Sequence, residues 1–306
     1  MVRSQTLAPF EIIVADDGST DATSRVVASY DDCRLRYLRR NRLRMPGILN
    51  EGLAVASGDY IMVCHDHDFY HPMMLGELAG ALERHPTALF AHCGIIGVDS
   101  TGRHELEWFV RDYPEFVNGR EFLVSEMLPG LHSPVAALTM IRRSALASGV
   151  LDPRFKGPAD VELWLRLCTQ GDVAYVARPL IRVRQRDDGS TFQPLACEFA
   201  ELVLEAKRGY LGWVDSKRRR RSIQRGWRRE IDRTALLQIL TPNPDMTALK
   251  SFVRRQGTWI GRLAMGGCSM APRAVSVASV QLLRALWRRL RIRRPPHGNG
   301  EVLSGR

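Results

Sequence analysis

Two short acidic clusters carry most of the chemistry this sequence offers. Asp16-Asp17-Gly18-Ser19-Thr20-Asp21 ends the apolar, β-branched run from Phe10 to Ala15, and His65-Asp66-His67-Asp68 ends Tyr60-Ile61-Met62-Val63-Cys64. Short apolar runs stopped by Asp, Gly and Ser are predicted strands running into turns, and Ser19, Thr20 or Asp21 can cap a following helix. In an open parallel sheet, ligands lie beyond the carboxyl ends of the strands. Carboxylates at two such ends point to a nucleotide held together with a divalent cation, Mg²⁺ or Mn²⁺, because hard cations share carboxylate and phosphate oxygens. Asp66 and Asp68 are the candidate metal ligands. His65, His67 and His71 lie close by, but adjacent side chains on a strand point to opposite faces, which counts against a joint histidine site.

The elements that must hold these residues follow from periodicity. Residues 10–15, 35–38, 60–64, 88–95 and 173–176 are predicted strands. Helical patterns fall at 20–30, 46–57, 73–85, 119–128, 143–148 and 160–170. This alternation predicts an α/β fold with a mostly parallel sheet flanked by helices. Val98-Asp99-Ser100-Thr101-Gly102 is a predicted turn between two strands. Residues 194–212 form a predicted helix, an Arg-rich helix begins near 215, and Thr241-Pro242-Asn243-Pro244 breaks it. Residues 275–294 have the pattern of one amphipathic helix, ended by Pro295-Pro296.

The acidic clusters and the residues between them resemble the inverting family 2 glycosyltransferases of the GT-A fold. Asn50-Glu51-Gly52-Leu53 and Ala56-Ser57-Gly58-Asp59-Tyr60-Ile61 resemble that family's segment between its two acidic sites. Leu151-Asp152-Pro153-Arg154-Phe155 followed by Asp160-Val161-Glu162-Leu163-Trp164-Leu165-Arg166-Leu167 is similar to its acceptor-side motif. The likeness covers residues 3–191. It implies a nucleotide-sugar donor, with Asp17 hydrogen-bonded to the base, Asp16 supporting the ribose or the turn, and Asp66 also at the nucleotide. It implies a divalent cation on Asp66 and Asp68, with a one-residue ambiguity when the acidic cluster is counted back from Pro72. Asp160 is the implied general base for an acceptor hydroxyl; the plainer alternative is a helix cap after Gly157-Pro158. Arg184 and Arg186 lie in a segment that meets the diphosphate, with Arg186 where the family often has His. The family's first strand and most of its first helix have no counterpart, since Val2 to Leu7 resembles the end of that helix. The first strand lies inside the family's sheet, so unpaired edges are expected here.

Charge divides the chain unevenly. Residues 201–306 carry a net +16, against −5 for residues 1–200. Lys217-Arg218-Arg219-Arg220-Arg221 with Arg225, Arg228 and Arg229 forms one dense cluster, and residues 284–294 form a second. The expected organisation is a GT-A-like domain over 1–192, a basic helical region over 193–296 and a tail over 297–306. No apolar run reaches the length of a membrane span, about 18 residues, and no signal peptide is apparent. The scattered cysteines fit a reducing compartment. Together these predict a cytoplasmic protein, peripheral on the inner face of the cell membrane, with the basic helices drawn to an anionic lipid surface. The expected acceptor is a sugar or a lipid-linked glycan in polysaccharide, cell-envelope or glycolipid synthesis. Nucleic acid is the weaker match to the arginines, because no recognition motif accompanies them. The competing reading is a truncated, catalytically impaired relative that acts by binding membranes or partners.

Overall fold

The computed structural model describes residues 4–8, 10–131, 133, 139–184, 197–240 and 246–257. Its secondary structure follows the predicted alternation. Strand β1 (Ile12–Asp16) leads to helix α1 (Thr23–Ala28), β2 (Leu35–Arg39), α2 (Gly47–Val55) and β3 (Tyr60–Met62). Then come β4 (Phe69–Tyr70), α3 (Met74–Arg84), β5 (Ala88–Val98), β6 (Glu105–Phe109) and β7 (Phe116–Val117). Helix α4 (Gly119–Phe122) continues into a π-helical turn, and β8 (Met140–Arg142) precedes two 3₁₀ turns, Arg143–Ser148 and Pro153–Phe155. Helix α5 (Ala159–Leu167), β9 (Asp172–Arg184), α6 (Cys197–Gly209), α7 (Lys217–Leu240) and α8 (Met246–Gln256) follow among the described residues.

The α/β class is as expected, but the sheet is mixed rather than mostly parallel. β1 and β2 pair in parallel as a separate two-stranded sheet. In the seven-stranded sheet, ordered β3-β8-β5-β9-β4, only β5 and β9 run parallel. β6 and β7 add antiparallel partners to β5 and β9. The antiparallel strands are short or joined by tight turns, and short strands give no periodicity from which direction could be read. The turn at 98–102 does join two antiparallel strands, with Gly102 at φ +74° supplying the left-handed residue.

Among the described residues β1 pairs only with β2, and β3 only with β8. Each therefore keeps one edge without a strand partner among the described residues. The apolar residues Ile12 to Ala15 are accordingly only half-buried. The second sheet holds the main core. Met74, Leu78 and Leu82 are fully buried on one face of α3, at i, i+4 and i+8. They meet Ala91 and Cys93 of β5 and Ala174, Val176 and Ile181 of β9. Each such side chain contributes roughly 1.5–3 kcal/mol by leaving water, enough to fix β5 and β9 as a rigid platform.

Compact packing runs past the boundary set at residue 192. Met1–Glu230 forms one unit and Ile231–Arg306 another. Within the first, Trp227 of α7 is buried and donates Nε1–H to the Leu128 carbonyl at 2.8 Å. Within the second, α8 buries Leu249, Phe252 and Val253. The amphipathic pattern at 275–294 and the tail from 297 lie outside the described residues. No helix among the described residues is long and apolar enough to cross a membrane. Cys93, Cys168 and Cys197 are buried, Cys64 is half-buried and Cys33 is exposed.

Candidate active site

At the end of β1 the two aspartates do different work. Asp16 is buried, and its Oδ1 accepts the Ser19 amide at 2.7 Å while Oδ2 accepts the Tyr37 hydroxyl. Arg39 Nε stands 3.9 Å from Oδ2. Hydrogen bonds from Ser19 and Tyr37 hold the Asp16 carboxyl down to about 2. Its carboxylate thus closes the turn in which Gly18 takes φ +88°. A Cβ at Gly18 would also stand 3.3 Å from the Arg40 carbonyl. Asp17 reaches the other way, accepting the amides of Leu43 at 2.6 Å and Arg44 at 2.7 Å. The carboxylate that the family resemblance gives to the base therefore clasps the 43–44 backbone over the strand end. Asp21 accepts the Thr23 amide at 2.9 Å at the start of α1.

The second cluster is a turn between β3 and β4, because β3 ends at Met62. The strand alternation used against a histidine group therefore does not apply to residues 65–68. One ligand atom from each of His65, His67 and Asp68 lies within 4.8 Å of the others. Asp68 is the hub. Its side chain is buried, Oδ1 accepts the Arg184 amide at 2.9 Å, and Oδ2 lies 3.2 Å from His65 Nδ1. His67 Nε2 is 3.8 Å from Asp68 Oδ1, and its Nδ1 is 2.9 Å from Asp66 Oδ1. Asp66 itself is 99% exposed at the side chain and stands outside the group of three. The hydrogen bond from His67 lowers the Asp66 carboxyl below its usual range. Tyr70 donates its hydroxyl to the His65 carbonyl at 2.9 Å and pins the turn. The Arg184 guanidinium lies over the Phe69 ring at 4.5 Å, so β9 brings Arg184 to the end of this turn. Arg186 lies outside the described residues.

Asp160 comes from the first turn of α5. Asp152 caps the preceding 3₁₀ turn through the Arg154 amide at 2.9 Å, and Lys156 at φ 48° turns the chain towards Pro158. Pro158 is the residue at the cap position of α5, so Asp160 sits inside the helix rather than capping it. Burial raises the Asp160 carboxyl to about 6, opposed by the backbone N–H groups of Val161 and Asp160 and by the charge of His65. Asp160 and the His65 turn thus feel one another. Glu162 has a different job: its Oε1 accepts the Tyr210 hydroxyl at 3.0 Å and lies 3.3 Å from Arg166 Nε. Arg166 also donates to the carbonyls of Ser148, Gly149 and Val150. Trp164 is buried and packs on Phe90 at 5.2 Å.

Two positions escaped the assignment of roles from sequence. Asn50 grips residue 151 with both ends of its amide, donating to the Leu151 carbonyl at 2.8 Å and accepting the Leu151 amide at 3.1 Å. It ties α2 to the segment that leads into α5. Gln5 joins the N-terminal stretch to the loop after β4, donating to the His71 carbonyl at 2.8 Å and accepting the Leu75 amide at 3.0 Å. Asn and Gln can do this because each carries a donor and an acceptor. A cavity of about 290 Å³ lies elsewhere, lined by Arg111, Tyr113, Ser125, Glu126 and Glu230, with none of the candidate residues on its wall.

The first half of α7 presents a basic face. Ile223 and Trp227 are buried, whereas Lys217, Arg218, Arg219, Arg221, Arg225, Arg228 and Arg229 are exposed.

Comparison with known proteins bears on the fold and the family. An uncharacterized glycosyltransferase of Rickettsia typhi is 28% identical over 191 residues, which is 61% of this chain and 58% of that protein. A Rickettsia prowazekii counterpart is 27% identical over 59% of this chain and 56% of its own length. The chain therefore matches little more than half of either relative. Among solved structures, Staphylococcus aureus TarS 1-349 in complex with UDP-GlcNAc aligns with TM-score 0.57 and 15% identity, over 84% of this chain and 86% of that one. The mannosyltransferase PcManGT from Pyrobaculum calidifontis, in complex with GDP-Man and Mn²⁺, aligns with TM-score 0.53 and 14% identity, over 95% and 76%. At such identities the likeness shows the fold, which is that of the GT-A glycosyltransferases. Residues 1–149 match the family model "Glycosyl transferase family 2", so this part of the chain is similar to that family.

Proposed function

We propose that this protein transfers a sugar from a nucleotide-sugar donor to an acceptor hydroxyl with inversion at the anomeric carbon. The observation that carries the reading is Asp160, in the first turn of α5, whose carboxyl is raised to about 6 by burial and feels the charge of His65. A general base works best with a pKa near the working pH. In this reading Asp160 takes the acceptor proton while the acceptor oxygen bonds to the anomeric carbon from one face. The bond to the nucleoside diphosphate breaks on the opposite face, so configuration inverts in one displacement. Arg184 adds positive charge beside the diphosphate. Asp16 holds the nucleoside-side turn, and Asp17 reaches the base on release of the 43–44 amides.

A divalent cation, held at the turn of residues 65–68, would stabilise the leaving diphosphate as a Lewis acid. The donor set there fits such an ion: a buried carboxylate fixed by the Arg184 amide, with two imidazoles around it. The Mn²⁺ and GDP-Man of the Pyrobaculum relative and the UDP-GlcNAc of TarS support this choice of ligands. The alternative of an impaired binding protein is not favoured by the glycosyltransferase relatives.

The basic face of α7 favours placement at an anionic membrane, where a lipid-linked acceptor for polysaccharide, cell-envelope or glycolipid synthesis would lie. The test of the catalytic reading is a donor panel. UDP- and GDP-sugars are incubated with protein and divalent ion, and free nucleoside diphosphate is measured with and without candidate glycan acceptors. Acceptor-stimulated release that Asp160→Asn abolishes is expected. Release that is the same in the variant would refute the assignment of Asp160.

A further inference from the structure

We propose that the ion site is made by His65, His67 and Asp68, with Asp66 as a positioning residue, and that it selects a first-row transition ion such as Mn²⁺, Co²⁺ or Zn²⁺ over Mg²⁺. The location rests on the glycosyl-transfer reading; the ligand set and its selectivity rest on the turn itself.

An ion about 2.0–2.1 Å from each donor sets neighbouring donors roughly 3.0–3.4 Å apart. His65 Nδ1 and Asp68 Oδ2 are already at 3.2 Å, and His67 Nε2 and Asp68 Oδ1 are at 3.8 Å. The two imidazole planes lie 12° apart with centroids 5.6 Å from each other, so they flank Asp68 in the same orientation. Asp68 is locked by the Arg184 amide, whereas the two imidazoles are 40% and 39% exposed and have room to close the remaining gap.

Asp66 completes the pattern from outside. Its Oδ1 takes the Nδ1 side of His67 at 2.9 Å. That leaves Nε2 of His67 towards Asp68. A carboxylate on the far nitrogen fixes the tautomer and raises the basicity of a ligating histidine. Asp66 thus has a reason to stand outside the donor group. Two nitrogens and one carboxylate suit ions of the first transition series, while Mg²⁺ prefers oxygen donors and gives up water reluctantly.

The test uses the full-length protein freed of metal and carrying no nucleotide. Mn²⁺ uptake is read by loss of the free-ion EPR signal, Co²⁺ uptake by its visible absorption, and Mg²⁺ by its ability to displace bound Mn²⁺. One Mn²⁺ per chain is expected, with Mg²⁺ needed in at least about tenfold higher concentration to displace it. Asp66→Asn should weaken Mn²⁺ binding about 10–100-fold. His65→Asn and His67→Asn should weaken it by more and change the Co²⁺ spectrum, with circular dichroism and melting midpoint retained because both side chains are partly exposed. Equal displacement by Mg²⁺, wild-type binding in both histidine variants, or no ion uptake by the nucleotide-free protein would each overturn the proposal. None of these readings involves a sugar donor. Absence of turnover with every donor would therefore count against the glycosyl-transfer reading and leave the ion site standing.

Discussion

Replacing Asp160 with Asn should make the protein less active and more stable. Burial raises the Asp160 carboxyl from 3.8 to about 6 in the fold. Below pH 4 both folded and unfolded chains hold the proton, and the residue costs nothing. Between pH 4 and 6 the unfolded chain releases its proton while the folded chain keeps it, so stability falls as pH rises. Above pH 6 the whole penalty is present. At about 1.4 kcal/mol per pKa unit it amounts to about 3 kcal/mol. Solvent reaching the half-buried side chain lowers the expected effect to about 1–3 kcal/mol. An opposing effect is the loss of negative charge in the first turn of α5, worth about 0.3–1 kcal/mol. Burial is the larger of the two. Urea denaturation in EDTA should show Asp160→Asn more stable than wild type at pH 7.5 and nearly equal to it at pH 4. Turnover should fall about 10²–10⁴-fold. If the variant is equally or less stable at pH 7.5, Asp160 is an ordinary carboxylate at a helix start and the reasoning from its burial fails.

Two further predictions rest on other parts of the fold. Asn50→Ala removes both hydrogen bonds to residue 151 and should cost about 1–3 kcal/mol in chemical denaturation; a change below about 0.5 kcal/mol, the scale of an ordinary surface substitution, would show that the latch is dispensable. Replacing Arg218, Arg219, Arg221 and Arg225 with Gln should weaken sedimentation with phosphatidylserine liposomes by about 4 kcal/mol, roughly a thousandfold, at about 1 kcal/mol per basic residue. Wild-type protein that ignores acidic liposomes even at low salt would end the membrane placement.

The sequence was most readable where periodicity runs long. Met74, Leu78 and Leu82 mark α3 at helical spacing, and the apolar runs of β1, β2, β3 and β5 stop at turn residues close to their observed ends. β9 reaches from Asp172 to Arg184, well beyond the predicted 173–176, because Pro179 and alternating arginines hide a strand whose pairing with β5 sustains it. Strand direction was unreadable in β4, β7 and β8, which have two or three residues each. Asp68 stood out by residue type at a strand end, Arg184 and Asp160 only by likeness to the family's motifs; the Asp68 carboxylate accepts the Arg184 amide, and Asp160 feels the charge of His65. The proximity of His65, His67 and Asp68 was not readable, because residues 65–68 form a turn rather than a strand. Asn50's grip on residue 151 spans a hundred residues of sequence, and a contact at that separation leaves no local pattern.

The central claim is inverting transfer by this domain with Asp160 as base. The most direct measurement is the anomeric configuration of the first-formed product, followed by proton NMR during turnover with an active donor and acceptor. A product whose anomeric configuration is opposite to that of the donor is expected, formed by wild type and lost in Asp160→Asn. A product that keeps the donor's configuration would contradict the single displacement.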